Sequence, residues 1–252
     1  MRIATLTSTI LAGSLWLAAS NASAVPMIFF GEDLNPGGTV PAGGNAQTAR
    51  NSFLSNLTGV GNENFESFGN LTPITGGGIN VNFPGSSGAI TANLAGSDGG
   101  ICNQTIGGNV GNLGCGFSRF ATSGNNYLQN ASNMLLTFSD DVAAFGFYGT
   151  DFGDINGVVS LTFTGGAVEV FDVPSTQGSS ADGNLIFWGI IDTDNTFASV
   201  NFTASGGSDV FGFDDMVIGD RQQVTPAPVP ATIALFGLGL AGLGWSRRKR
   251  QS

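Results

Sequence analysis

The chain has 252 residues, with 18 acidic and eight basic side chains, no histidine and two cysteines, which is room for one large or two small domains. All 18 acids lie between Glu32 and Asp220, where only Arg50, Arg119 and Arg221 oppose them, so this body carries a net charge of −15 and no lysine. Such a surface repels phosphate polymers and excludes nucleic acid as a partner. The lack of histidine excludes a Ser-His-Asp triad and a Cys-His pair.

Arg2 supplies a positive start, Ile10 to Ala19 is an apolar run, and Ala22-Ser23-Ala24 is a small-x-small site. That three-part order predicts a secretory signal peptide over residues 1–24, cut after Ala24. A permanent N-terminal anchor is the competing reading, and the apolar run is short for a span of roughly 20 residues. After it, "NAQTARNSFLSNL" places Ala46, Ala49, Phe53 and Leu57 at spacings of three and four, one face of a helix that Gly59 and Gly61 would end. Cys102 and Cys115 then flank a Gly/Asn-rich loop. An exported chain with an even cysteine count predicts that they form a disulfide.

Beyond this loop the chain reads as strands. "INVNF", "NMLLTFS", "VAAFGFYG", "GVVSLTFTG", "AVEVFDV", "NLIFWGII", "FASVNFTAS" and "DVFGFDDMVIG" are rich in Phe, Val, Ile and Thr and are separated by turn residues. Short strands at such intervals predict an all-β fold. "FASVNFT" breaks strict alternation, which a bulge or a two-sided burial would allow. No repeat or internal linker divides the body, so one jelly-roll-like β-sandwich with one short N-terminal helix is expected over residues 25–222. Most of the twenty phenylalanines belong in its core.

The end of the chain differs from the rest. Pro226, Pro228 and Pro230 favour an extended segment. Ala231 to Ser246 is uncharged, and as a helix its 16 residues would extend about 24 Å, slightly short for a hydrocarbon core of about 30 Å. Arg247, Arg248, Lys249 and Arg250 follow at once, an order that places the tail in the cytoplasm and the body outside. This layout, over residues 223–252, resembles the PEP-CTERM sorting domains of Gram-negative bacteria: a Pro-Glu-Pro motif, an apolar helix rich in Leu, Gly and Ala, and a basic cluster. Here the motif is Pro228-Val229-Pro230, with Val229 in the usual Glu position, as in related variants with an apolar residue between the prolines. The resemblance implies an exosortase as the processing partner, transient anchoring in the inner membrane through the C-terminal helix, and a cell-surface or extracellular destination in a bacterium that makes exopolysaccharide. A permanent C-terminal anchor is the alternative. "ARNSFLSNLTGVGNENFESF", "FGFYGTDFGD" and "FGFDDMVIG" further resemble an ectodomain type found ahead of such tails, for which no activity carries over.

Candidate chemistry is sparse. A glycosidase needs two placed carboxylates, and only Glu32, Glu63, Glu66 and Glu169 are glutamates, so the protein is expected not to be an enzyme. Calcium suits an Asp-rich surface, because it takes several oxygen ligands from loops. By resemblance to jelly-roll carbohydrate-binding modules, Glu66 in "NENFESF" and Asp214 in "GFDDMVIG" would be ligands, with Asp215 on the other face. Solvated carboxylates at strand ends are the competing reading. Asp151 and Asp154 in "TDFGD", and Asp192 and Asp194 in "DTDN", form further loop clusters, the latter read as turn chemistry. Of the body's aromatics other than Phe, Trp188 is expected in the core and Tyr127 on the surface as the best sugar-stacking candidate. The sequence points to a surface-sorted, non-enzymatic protein of the cell envelope or exopolysaccharide matrix. The alternative is a polysaccharide-binding module of jelly-roll type, with structural calcium.

Overall fold

The computed structural model describes residues 25–225, except 154, 175–182 and 205–208. In chain order its elements are β1 (Met27–Asp33), α1 (Asn45–Leu54), β2 (Ile79–Gly85), β3 (Gly88–Gly96), β4 (Gly100–Asn103), β5 (Asn109–Val110), β6 (Leu113–Gly114), β7 (Asn126–Asn130) and β8 (Met134–Val142). There follow β9 (Ala144–Thr150), β10 (Gly157–Phe163), β11 (Val168–Asp172), β12 (Leu185–Ile191), β13 (Phe197–Ala204), β14 (Phe211–Gly219) and a 3-10 turn at Arg221–Gln223. Two six-stranded antiparallel sheets form a jelly-roll-like sandwich. The first has the order β1-β12-β9-β14-β7-β4 and the second β11-β10-β13-β8-β3-β2, with β5 and β6 as a separate hairpin.

Alternation builds the core. β2 buries Ile79, Val81 and Phe83, while Asn80 and Asn82 face out; β8 buries Met134, Leu136 and Phe138 between exposed Leu135 and Thr137. From the first sheet, Phe145, Phe147, Trp188, Phe211 and Phe213 enter the same cluster. Phe147 and Phe213 meet edge to face at 5.1 Å, the geometry that ring quadrupoles favour. Of the two explanations open for "FASVNFT", a bulge is present: the β13–β8 register shifts between Phe197 and Ser199.

The central strands of the first sheet do not alternate, because both faces are covered. β9, β12 and β14 are buried at every residue. Their second face carries Tyr148, Leu185, Phe187 and Val217, and α1 seals it with Ala46, Ala49 and Phe53. Glycines allow the close approach. A Cβ at Gly31 would lie 2.1 Å from the Asn45 carbonyl oxygen, and one at Gly146 or Gly189 would press on the Phe53 ring. Asp33 fixes the start of α1 by accepting from the Asn45 and Ala46 amides at 2.8 and 3.1 Å, an anion placed on the free N–H groups of the first turn. The helix stops at Leu54, a turn earlier than the apolar spacing suggested. Leu57 instead forms a β-bridge with Val224, so the end of the body competes successfully for the backbone after the helix.

Candidate functional site

β14 determines where the carboxylates go. Asp214 lies opposite Tyr148 and Val217 opposite Gly146, so β14 spends one residue more than β9 across this interval. That extra residue is Asp215, whose φ is +48°, and the bulge turns it to the same side as Asp214. Both carboxylates reach Thr122: its Oγ1 lies 2.9 Å from Asp214 Oδ2 and 2.8 Å from Asp215 Oδ2. The expectation that Asp215 points to the other face is therefore corrected, and the cause is the bulge.

Asp214 Oδ2 also accepts from the Thr122 and Ser123 amides at 2.6 and 3.1 Å, and its Oδ1 from the Asp215 amide at 2.7 Å. Asp215 accepts from Ser123 Oγ at 2.8 Å and from Asn62 Nδ2 at 2.5 Å. A single hydroxyl proton on Thr122 can serve only one of the two acids. Burial first, and the Asp215 charge second, push the Asp214 carboxyl well above the ordinary aspartate range, against the donors that hold it down.

Glu66 is on the other side of the same loop, where its Oε1 accepts from the Asn125 and Asn126 amides at 2.7 and 2.5 Å. The loop of residues 122–126 thus lies between Glu66 and Asp214, which hold its backbone from two sides. This geometry does not fit a shared calcium ion. The oxygens point at N–H donors, whose hydrogens would face a cation. Among the described residues no group of three or more His, Cys, Asp or Glu side chains is gathered to hold a metal. The cluster acts as a latch that pins the loop to β14 and to the segment Asn62–Glu66. Asp192 caps its own turn by accepting from the Asp194 and Asn195 amides, both at 2.9 Å.

A second polar centre, which composition and spacing left unmarked, surrounds Arg119. Its guanidinium is buried and lies 3.4 Å from Asp151 Oδ2. It also donates to the carbonyls of Gly114 (2.8 Å), Phe117 (3.1 Å) and Val210 (3.2 Å), and to Gln129 Oε1 (3.4 Å). One cation therefore ties together β6, the loop before β7, β7 itself, the β9 exit and the entry to β14. Close by, Cys102 and Cys115 are disulfide-linked with Cα atoms 5.6 Å apart, and they pack with Val110, Ala121 and Tyr127. Tyr127 is 0 % exposed, which corrects its expected role as a surface stacking residue. It lies on β7 opposite Cys102, and its hydroxyl accepts from the Gly116 amide at 2.8 Å. Trp188 is in the core, as its apolar run suggested.

The body ends in a clasp. Asp220 caps the 3-10 turn through a reciprocal pair with Gln223 and accepts from the Ser86 amide at 2.6 Å. Against desolvation, these amides hold its carboxyl below the usual range. Gln223 Nε2 donates to the carbonyls of Gly59 and Pro84. The Thr58 amide donates to Gln223 O, and the Thr225 amide to Asn56 O, each at 2.8 Å. Hydrogen bonding thus continues past residue 222, the expected end of the body, to the last described residue.

Ala24, Asp154, Pro228, Val229, Pro230 and the basic residues Arg247, Arg248, Lys249 and Arg250 lie outside the described residues. No helix among the described residues is long and apolar enough to cross a membrane.

Comparison with known proteins adds most at the tail. Residues 226–249 match the PEP-CTERM protein-sorting motif. No curated protein matches the chain. Among solved structures, the K2 cleaved adhesin domain of Lys-gingipain is similar at 16 % identity and a TM-score of 0.37, covering 63 % of this chain and 97 % of that one. TmCBM61 in complex with β-1,4-galactotriose is similar at 12 % identity and a TM-score of 0.28, covering 50 % and 86 %.

Proposed function

We propose that this is an exported, non-enzymatic protein of the bacterial cell envelope or exopolysaccharide matrix, and that an exosortase-type membrane enzyme processes its tail. The observation that carries the reading is the sorting motif at residues 226–249, directly after a body that ends in a hydrogen-bonded clasp. The membrane takes part transiently through Ala231 to Ser246, with the basic cluster as the stop. Mass spectrometry of the surface-located protein tests the processing step: peptides from Ala231 onward are expected to be missing, and an intact C-terminus in the mature protein would replace processing with a permanent anchor.

Support for the non-enzymatic part comes from how the polar groups are used. The buried acids Asp214 and Asp215 are engaged by loop donors, and the chain has no histidine to serve as a base. A polysaccharide-binding role is the second reading. It is favoured by one feature of the surface, two adjacent rows of uncharged side chains across the outer face of the second sheet.

A further inference from the structure

On a body with 18 acids, the middle of the outer face of the second sheet carries no charge, and its exposed acids, Asp140, Asp141 and Asp172, stand towards the ends of β8 and β11. The register places its side chains in rows that run across the strands. One row is Asn80, Asn93, Thr137, Ser199, Thr162 and Val168, one residue from each of the six strands. The next is Ala95, Leu135, Asn201, Ser160 and Val170. Neither row contains a charged residue; Asp172, opposite Val158, bounds them at one corner, and Asp140, which accepts from Ser139 Oγ at 2.9 Å, bounds them along β8. Solvated sheet faces ordinarily carry interspersed charges that keep them apart from other surfaces.

We propose that this face binds a neutral, hydroxyl-rich polysaccharide laid along the rows, across the strands. The proposal rests on the polysaccharide-binding reading above and names its site. Strands about 4.8 Å apart make the six-residue row roughly 24 Å long, a length for several linked pyranose rings. Its groups are of the right kind. Asn amides and Ser and Thr hydroxyls each both donate and accept, as sugar hydroxyls require. The Thr137, Ser199, Asn201, Ser160 and Thr162 side chains make no hydrogen bond to other described residues and are free to pair outward. At the β2 end, Asn93 Nδ2 donates to Asn80 Oδ1 at 2.9 Å, which fixes both amides in position.

Small apolar groups complete the surface. Ala95, Leu135 and the two valines of β11, 60 % and 59 % exposed, offer flat contact to the C–H faces of sugar rings. No aromatic residue stands in the rows, so each ring is held weakly and affinity accumulates along the polymer. Charge selects among occupants. A second copy would bring another body of net charge −15 against this one and meet self-repulsion. An acidic polymer meets the same field and finds no cation on the face. A neutral polymer meets neither obstacle.

The test is affinity electrophoresis of the exported protein in gels containing a neutral β-glucan, a neutral galactan or dextran, with alginate as the acidic comparison. Wild type is expected to be retarded by at least one neutral polymer and not by alginate. Retardation should be unchanged between low salt and about 1 M salt, where ionic contacts are screened beyond roughly 3 Å. The pair T137K/S199K, placed in the middle of the long row, should weaken retardation at least tenfold with an unchanged melting temperature; S52K, on the exposed side of α1, should have no effect. Equal retardation of T137K/S199K and wild type would overturn the face as the site while leaving polysaccharide binding intact. No retardation of wild type in any neutral gel would remove the polysaccharide reading itself. A wild-type dimer in light scattering that T137K/S199K dissolves, without retardation, would reassign the face to contact between copies.

Discussion

Replacing Arg119 by methionine is the strongest test of how the loop-rich side of the sandwich is held. The change keeps most of the side-chain volume and removes the charge. It leaves Asp151, with a side chain only 5 % exposed, as a buried carboxylate without its cation. Removing one member of a buried pair costs about 3–5 kcal/mol. The carbonyls of Gly114, Phe117 and Val210 lose their guanidinium donor at the same time. A body of this size loses about 2–4 °C of melting temperature per kcal/mol, so a fall on the order of 10 °C is expected. Urea titration with the disulfide intact is the better assay, because urea adds no ions to screen the pair; the midpoint should fall at constant slope. The double variant R119M/D151N should recover at least 1 kcal/mol relative to R119M, since the stranded charge is gone. R119K retains the charge but cannot reach the Gly114, Phe117 and Val210 carbonyls together, and it should lie between R119M and wild type. If R119M stays within about 0.5 kcal/mol of wild type, or the double variant is no better than R119M, Arg119 is not the tie described above.

Three other outcomes are expected on the same physical grounds. The C102A/C115A variant should lose about 3 kcal/mol, the entropy of closing a loop of this length, and thiol labelling of unreduced wild type should modify neither cysteine. Because the folded Asp214 holds its proton above the ordinary value of 3.8, its stabilising contribution is present at low pH and is lost as pH rises through the elevated pKa. Unfolding free energy measured against pH should therefore decline over that interval, less steeply in D214N, and an equal decline in both would remove Asp214 as the cause. Phe53→Ala should cost about 3–5 kcal/mol in denaturant titration, because the ring fills the seam between α1 and the first sheet. A loss below 1 kcal/mol would mean that α1 is not locked there.

What could be read in advance followed the periodicity of burial. "LIFWGII" is continuously apolar because β12 is covered on both sides, and "INVNF" alternates because β2 is covered on one. β7 defeated the same logic. "NYLQN" is wholly buried although Asn126, Gln129 and Asn130 are polar, because hydrogen bonds replace apolar contact. Asn126 Nδ2, for example, donates to the Phe65 and Phe68 carbonyls. Polar residues paired this way look like a loop in the sequence, and Tyr127 was misplaced with them. The Asp214–Asp215 pair was legible as a cluster but not as a latch. Its geometry depends on one inserted residue in β14, and nothing in "FGFDDMVIG" reveals which residue is the extra one. Arg119 had no local signal at all, since its partners come from loops separated by up to 91 positions.

The clasp at Asp220–Thr225 also acts as a ruler. Thr225 is bonded to Asn56, so the folded body reaches to within five residues of Pro230. Fully extended, those residues span at most about 18 Å. On the proposed reading, an enzyme that cuts at Pro228-Val229-Pro230 would work in the gap between a folded protein and the bilayer proposed to receive Ala231 onward, with at most this length of chain to draw on. Unfastening Gln223 and Asp220 would lengthen the leash without altering the motif. Processing efficiency in Q223A or D220A would then register the width of that gap and not the chemistry of the cut.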